Sequence, residues 1–419
     1  MKGEMRILEG IQRNRFVRAL ERRCATDLAE VEPVVRRVVN DVRKHGDRAL
    51  RRYAARWDGL VKNQPLRVPQ AEMQRAWRQT PPELQDAIRQ AAANIRRYCE
   101  WQKPQEWQRE IQPGVCVGQL VRPLESVGCY VPGGRYPLPS TLLMTVIPAQ
   151  VAGVREIRVA SPKPAVVTLA AAGFLNVAEF YCVGGAQAIA ALAYGTESVP
   201  RVAKIVGPGN RYVTAAKKHV AFDCAIDFLA GPTEAVVVSE KGDAAWIATD
   251  LVAQGEHDPD ALCVLMTPVR ELAQRVQEEV QTRTRENPIA RKSLAQRGAI
   301  LLVASLDEAM AIAARIAPEH LTVPAAFVAA VRNAGSVFLE ECSPQAAGDY
   351  ISGPNHVLPT GGMARVRGGL SVLDFVQITS CQSVDKDGIQ QIAPTAIALA
   401  EAEGLAGHAE SLRLRCSHA

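Results

Sequence analysis

From about residue 126 onward, short apolar runs rich in β-branched residues alternate with longer stretches of helical spacing. Ile157-Arg158-Val159-Ala160, Phe180-Tyr181-Cys182-Val183, Lys204-Ile205-Val206, Ala235 to Val238, Leu262 to Leu265 and Ala299 to Val303 read as buried strands. Ala186 to Tyr194 and Ala244 to Val252 read as helices between them. A strand that returns beside its predecessor after a helical crossover is parallel to it. The alternation therefore predicts parallel sheets wound in the α/β manner, twice over. Aromatic content of only 5%, with abundant Ala, Val, Ile and Leu, suits helix-covered sheets better than a β-sandwich. At 419 residues the chain exceeds one ordinary core, so at least two domains are expected.

The first hundred residues read as helical. Thr26 is a candidate cap for a helix with Leu28, Val31, Val35 and Val38-Val39 on one face, and Pro81-Pro82-Glu83 opens another. Val115, Val117 and Leu120-Val121 mark short strands. Near the end, Pro394 is expected to start a helix from Thr395 to Ala406. The net charge of +5 is mild, and arginine pairs such as Arg36-Arg37 and Arg51-Arg52 are interleaved with apolar and acidic residues. That pattern describes solvated helix faces, so no nucleic-acid partner is expected. A charged-then-apolar leader and an apolar run of membrane-spanning length are both absent, so no membrane partner is expected either. Ten scattered cysteines without a CxxC pair indicate reduced thiols and a cytoplasmic location.

No GxGxxG follows a strand, and there is no HExxH or P-loop; Gly207-Pro208-Gly209-Asn210 is the nearest approach to a dinucleotide fingerprint. Histidine placement is more informative. Four of the seven histidines lie near an acid in the C-terminal part: Glu256-His257-Asp258, Glu319-His320, Asp349 with His356, and Glu403 with His408. Such pairs serve as metal ligands with supporting carboxylates, or as general bases held in one tautomer, while a single pair is more often a surface or capping histidine. Imidazole, carboxylate and amide oxygen together suit an open, catalytic divalent site, and Gln254 and His257 would share one turn of a helix face. Two glycine-rich stretches, Gly128 to Gly134 and Gly184 to Gln187, each join a strand to a helix. Either could offer backbone N–H groups to a pyrophosphate, although turn geometry alone also explains glycine there.

These stretches carry a family resemblance. GCYVPGGRYPLPSTLLM (128–144), GGAQAIAA (184–191), VGPGN (206–210), AGPTE (230–234), DLVAQGEHD (250–258), APEHL (317–321), GDYISGPNHVLPT (348–360) and EAEGLAGH (401–408) resemble histidinol dehydrogenases, in the family's order and spacing. The likeness runs from about residue 30 to the end. It implies a zinc- and NAD-dependent oxidoreductase taking L-histidinol through L-histidinaldehyde to L-histidine, the last steps of histidine biosynthesis. It also implies one zinc per subunit and a homodimer whose active sites borrow residues from the partner's tail. By motif position, Gln254, His257, Asp349 and His408 would ligate zinc, with His408 from the other subunit. His320 would be the general base and Glu319 would activate water for addition to the aldehyde. Ser140, Thr233, His356 and Glu403 would hold substrate, and Tyr130, Gln187 and Asn210 would contact NAD.

The resemblance implies two incomplete Rossmann-like, doubly wound domains with a small N-terminal helical segment (1–27) and a C-terminal tail domain (366–419), exchanged in the dimer. The first Rossmann-like domain is expected from 28–127 plus 235–365, and the second, NAD-binding one from 128–234. Thr233 departs from the family's usual serine, Phe228-Leu229 from Met-Pro, Pro354 from threonine and Gly255 from alanine. AGPTE and GGLSV (368–372) also resemble related dehydrogenases of other small alcohols, such as dihydroxypropane sulfonates, whereas the intact Pro137-Leu138-Pro139-Ser140-Thr141 resembles the histidinol enzymes.

Overall fold

The computed structural model describes residues 5–23, 28–133 and 136–417; Thr26 and Gly134 lie outside the described residues. The strands are β1 Arg6–Leu8, β2 Trp107–Gln112, β3 Val115–Pro123, β4 Ser126–Tyr130, β5 Glu156–Ala160, β6 Glu179–Tyr181, β7 Lys204–Val206, β8 Ala225–Ile226, β9 Glu234–Val238, β10 Leu262–Thr267, β11 Ala299–Leu302, β12 His320–Val323, β13 Ser336–Leu339 and β14 Val376–Val384. They form a five-stranded sheet ordered β6-β5-β4-β7-β8, a six-stranded sheet ordered β1-β11-β10-β9-β12-β13, and a three-stranded sheet ordered β14-β3-β2. Every pairing in the two larger sheets is parallel, and the three-stranded sheet is antiparallel. In each large sheet the chain winds outward from a central strand, then returns to that strand's other side. β4 and β9 are those central strands, so each sheet is doubly wound with its own switch point. The expected α/β class, with two Rossmann-like units, is what the chain adopts.

The helices are α1 Gly10–Glu21, α2 Glu32–Tyr53, α3 Gln70–Gln79, α4 Pro82–Gln102, α5 Pro139–Ala152, α6 Val166–Phe174, α7 Gly185–Tyr194, α8 Arg211–Val220, α9 Ala244–Gly255, α10 Arg270–Arg283, α11 Pro288–Gln296, α12 Leu306–Ile316, α13 Gln345–Tyr350, α14 Lys386–Ala402 and α15 Ala406–Ser417. The buried face of α2 (Val35, Val38, Val39, Val42) packs with α7 and α8 on one side of the five-stranded sheet. Helices α3 to α6 cover the other side. Alternation along β4 explains the two cores: Val127 and Cys129 point into one, Tyr130 into the other. On the six-stranded sheet, α1 and α12 cover one face and α9 to α11 the other.

Three differences from the sequence reading stand out. The helices between 32 and 102 pack on the unit built from 126–226, not with the strands of 234–339 as the expected grouping of 28–127 with 235–365 had them. Within the N-terminal segment, Arg6–Leu8 is a strand paired to β11, too short to show periodicity. Pro394 lies inside α14 rather than at its start, because Asp385 caps the helix earlier by accepting from Gly388 N.

Candidate functional site

The catalytic candidates gather at the amino ends of the six-stranded sheet. Thr233 immediately precedes β9, Glu319 immediately precedes β12, and His320 is the first residue of β12. Helix α9 runs back from β9 and delivers Gln254 to the same edge, with His257 just past its last turn rather than on it. Helix α13, following β13, brings Asp349. Parallel winding returns every crossover helix to the amino edge, so motifs far apart in sequence meet there.

Glu319 and His320 are 7% and 3% exposed. Glu319 Oε2 accepts the Thr233 hydroxyl at 2.7 Å and the Glu234 amide at 2.8 Å. Burial pushes the Glu319 carboxyl well above its ordinary range, against those two hydrogen bonds, and the neighbouring Glu234 and Asp349 charges add to the rise. His320 Nδ1 lies 3.1 Å from the Glu234 carbonyl, which requires the proton on Nδ1 and leaves Nε2 basic. That Nε2 faces Asp349 Oδ1 at 3.9 Å, and the ring stacks on Phe338 at 5.9 Å. Burial holds the imidazole near pKa 4, so it is neutral at neutral pH.

Asp349 takes a hydrogen bond from the Gln254 amide, yet burial raises its carboxyl to about 7. Gln254 Oε1 in turn accepts the Thr233 hydroxyl at 3.1 Å. His356 is oriented at both nitrogens: Nδ1 toward the Asp349 carbonyl at 2.9 Å, and Nε2 accepting from Thr141 Oγ1 at 3.2 Å. Thr141 follows Ser140 in the first turn of α5, so the five-stranded unit closes over the site. A cavity of about 430 Å³ opens here, lined by His320, Phe338, Asp349, Asn355 and His356 among others.

Sequence reasoning missed three supporting residues. Glu234 orients both Glu319 and His320 through its backbone, while its carboxylate makes a two-pronged pair with Arg23 at 2.8 and 2.7 Å. Thr141 and Asp58 are the others. The hint for Glu234 was its place beside Thr233 in AGPTE.

The expected cofactor contacts sit at the carboxyl ends of the five-stranded sheet, where open α/β sheets bind ligands. Tyr130 ends β4, and Asn210 caps α8 after β7 by accepting from Tyr212 N and Val213 N. Between them the backbones touch: a Cβ on Gly207 would fall 2.1 Å from Tyr130 O, and its φ is +110°, so only glycine fits. The Gly184-Gly185 turn does not present free N–H groups to a pyrophosphate. Gly184 N donates to Asp58 Oδ2 at 2.9 Å and Gly185 N to the Tyr130 hydroxyl at 3.1 Å. Gln187 is buried beside them, its Nε2 donating to Asp58 at 3.0 Å and its Oε1 without a partner.

Glu403 and His408 are not brought to the cluster within one chain. Both are exposed on the tail, Glu403 at the end of α14 and His408 in the first turn of α15. Among the described residues no group of three or more His, Cys, Asp or Glu is arranged to hold a metal ion. The expected set draws only two such side chains, His257 and Asp349, from one chain, with the Gln254 amide as a third donor.

The sequence matches the histidinol dehydrogenase family over residues 21–416. This chain belongs to the histidinol dehydrogenase family. It is 46% identical over 417 residues to the histidinol dehydrogenase of Methanothermobacter thermautotrophicus, covering 96% of this chain and 97% of that protein. The Thermus thermophilus histidinol dehydrogenase is 46% identical over 395 residues, covering 92% and 94%. The crystal structure of the Elizabethkingia anophelis histidinol dehydrogenase superposes with a TM-score of 0.93 at 34% identity, covering 99% of this chain and 98% of that one. Membership makes the chain an oxidoreductase.

One acid on α9 responds to pH by burial alone. Asp250, one turn before Gln254 on α9, has its carboxyl raised from 3.8 to about 6 by desolvation. The unfolded chain releases that proton at lower pH than the folded one. Stability from this group is therefore full below about 4 and is lost as pH rises through about 6. Asp250→Asn is expected to melt higher than the parent at pH 7, with the gap closing by pH 4. Thermal melts across that range check it, and a pH-independent gap would contradict it.

Proposed function

We propose that the chain oxidises L-histidinol to L-histidine through L-histidinaldehyde, with zinc and NAD, as a step of histidine biosynthesis. The observation that carries this reading is the buried Glu319–His320 pair, with His320 Nε2 aimed past Asp349 into the cavity. His320 takes the proton of the substrate hydroxyl at Nε2 and shares it through an imidazole fixed by the Glu234 carbonyl. Glu319 Oε2 is held by Thr233 and Glu234, and Oε1 makes no hydrogen bond among the described residues. Oε1 is thus the atom that accepts a proton from the water adding to the aldehyde. Cys129, inside the glycine-rich stretch, is fully buried with its thiol pushed up to about 12, which disfavours a thioester route.

Gln254, His257 and Asp349, with His408 of a partner subunit, would hold the zinc ion; amide, imidazole and carboxylate suit that metal. Their mutual bonding fits this role, since Gln254 joins Asp349 and Thr233. When bound, zinc orients and polarises the substrate and NAD accepts hydride. Ser140, Thr233, His356 and Glu403 of the partner would bind substrate, and Tyr130, Gln187 and Asn210 would contact NAD. The reading takes the enzyme as a homodimer, and a reducing, cytoplasmic setting accords with nine free thiols among the described cysteines. No described helix is long and apolar enough to cross a membrane.

Zinc-loaded protein is expected to form two NADH per L-histidinol consumed, followed by absorbance and by quantifying L-histidine. A dihydroxypropane sulfonate run in parallel tests the other alcohol class. Strong turnover of the sulfonate with negligible histidinol oxidation would overturn the substrate assignment.

A further inference from the structure

A buried ion pair holds the loop at the switch point of the five-stranded sheet, and no catalytic step described above uses it. Lys217 on α8 and Asp227 just after β8 have side chains 3% and 1% exposed, and they pair directly. Lys217 Nζ also donates to Gly207 O at 3.0 Å, while Asp227 Oδ2 accepts Gly207 N at 2.8 Å. Both backbone polar groups of Gly207 therefore end on the pair. The other Asp227 oxygen accepts Phe228 N at 2.6 Å. From outside, Arg367 donates to the Asp227 carbonyl at 2.6 Å and lies 4.4 Å over the Phe228 ring, which gives this departure from Met-Pro a cation–π partner.

Removing a lysine and an aspartate from water costs several kcal/mol per ion, and well-packed apolar residues often stabilise such a position as well or better. Holding α8 against β8 does not need charge. Fixing Gly207 by its N–H and its C=O at once needs a donor and an acceptor held side by side, which Lys217 and Asp227 supply together. The residue so fixed begins Gly207 to Asn210, in the crevice between β4 and β7, where Gly207 meets Tyr130 O.

We propose that Lys217 and Asp227 are positioning residues for the dinucleotide, holding Gly207 to Asn210 so that Asn210 and Tyr130 meet it together. The proposal rests on the reading of the enzyme as NAD-linked. It is tested with a double variant, Lys217→Met with Asp227→Asn, which removes both charges and leaves neither unpaired. Amide hydrogen exchange at Gly207, Gly209 and Asn210 is expected to quicken at least roughly tenfold without any ligand. The NAD dissociation constant by calorimetry and the KM for NAD should each rise about tenfold. The KM for histidinol, the kcat at saturating NAD and the zinc content should stay within about twofold, a split that loss of stability alone does not produce. If the double variant does not fold, Arg367→Met leaves the buried pair intact, removes the outer donor together with its pair to Asp374, and should raise the NAD dissociation constant about threefold. A folded double variant, or failing that a folded Arg367→Met, whose NAD affinity matches the parent overturns the positioning role. A parent protein that neither binds nor reduces NAD overturns the cofactor reading instead.

Discussion

Replacing His320 with alanine is expected to lower kcat by about 10²–10⁴-fold while zinc and histidinol still bind. The size follows from the imidazole's setting. Its Nδ1 is committed to the Glu234 carbonyl, its ring is wedged against Phe338, and Nε2 is the nitrogen that faces the cavity. Burial keeps the ring near pKa 4, so at pH 7 almost every molecule carries a neutral, proton-accepting Nε2. Glu319 does not replace it, because Thr233 and Glu234 tie that carboxyl to the sheet edge. Alanine leaves the metal-ligand candidates in place, so calorimetric binding of zinc and histidinol should change little while NADH formation collapses. A variant retaining more than about a tenth of the parent kcat would remove His320 from the base role.

Much of the scaffold was legible because buried parallel strands announce themselves as β-branched runs. Lys204-Ile205-Val206 and Ala235 to Val238 are strands where the sequence placed them. The helix caps were less legible, and Asp385, not Pro394, decided where α14 begins. Strand β14 carries alternating Val376 and Ile378 among polar residues, but both faces of most of it are exposed, so no burial pattern singled it out. At the site, the motifs named side chains that gather at one sheet edge without showing how they are held. Arg23 reaches Glu234 across 211 residues, and Asp58 reaches Gly184 across 126. Contacts of that span leave no local period. At the Gly184-Gly185 turn a contact of the same kind chooses between the two readings the sequence left open: a glycine-rich helix start offers N–H groups to any anion, and here the protein supplies its own.

Mixing two inactive variants is expected to restore activity if the tail completes a neighbour's site. In one chain the cluster holds Gln254, His257 and Asp349, whereas His408 and Glu403 stand exposed on α15 and α14. The same tail leaves Leu399, Leu405 and Leu414 at 62%, 42% and 50% exposure, an apolar surface suited to a second copy. His408→Ala and Asp349→Asn should each lose on the order of a hundredfold or more of activity, since each removes a proposed metal ligand. When the two are co-refolded in equal amounts, half of the dimers are mixed. Each mixed dimer has one site with both lesions and one with none, so activity should recover to about a quarter of the parent. Zinc content should recover in the same proportion, which separates site completion from simple stabilisation. If His408 served its own chain, every site would keep one lesion and mixing would restore nothing. That outcome would place the fourth ligand elsewhere and make the exposed tail a surface without a catalytic part.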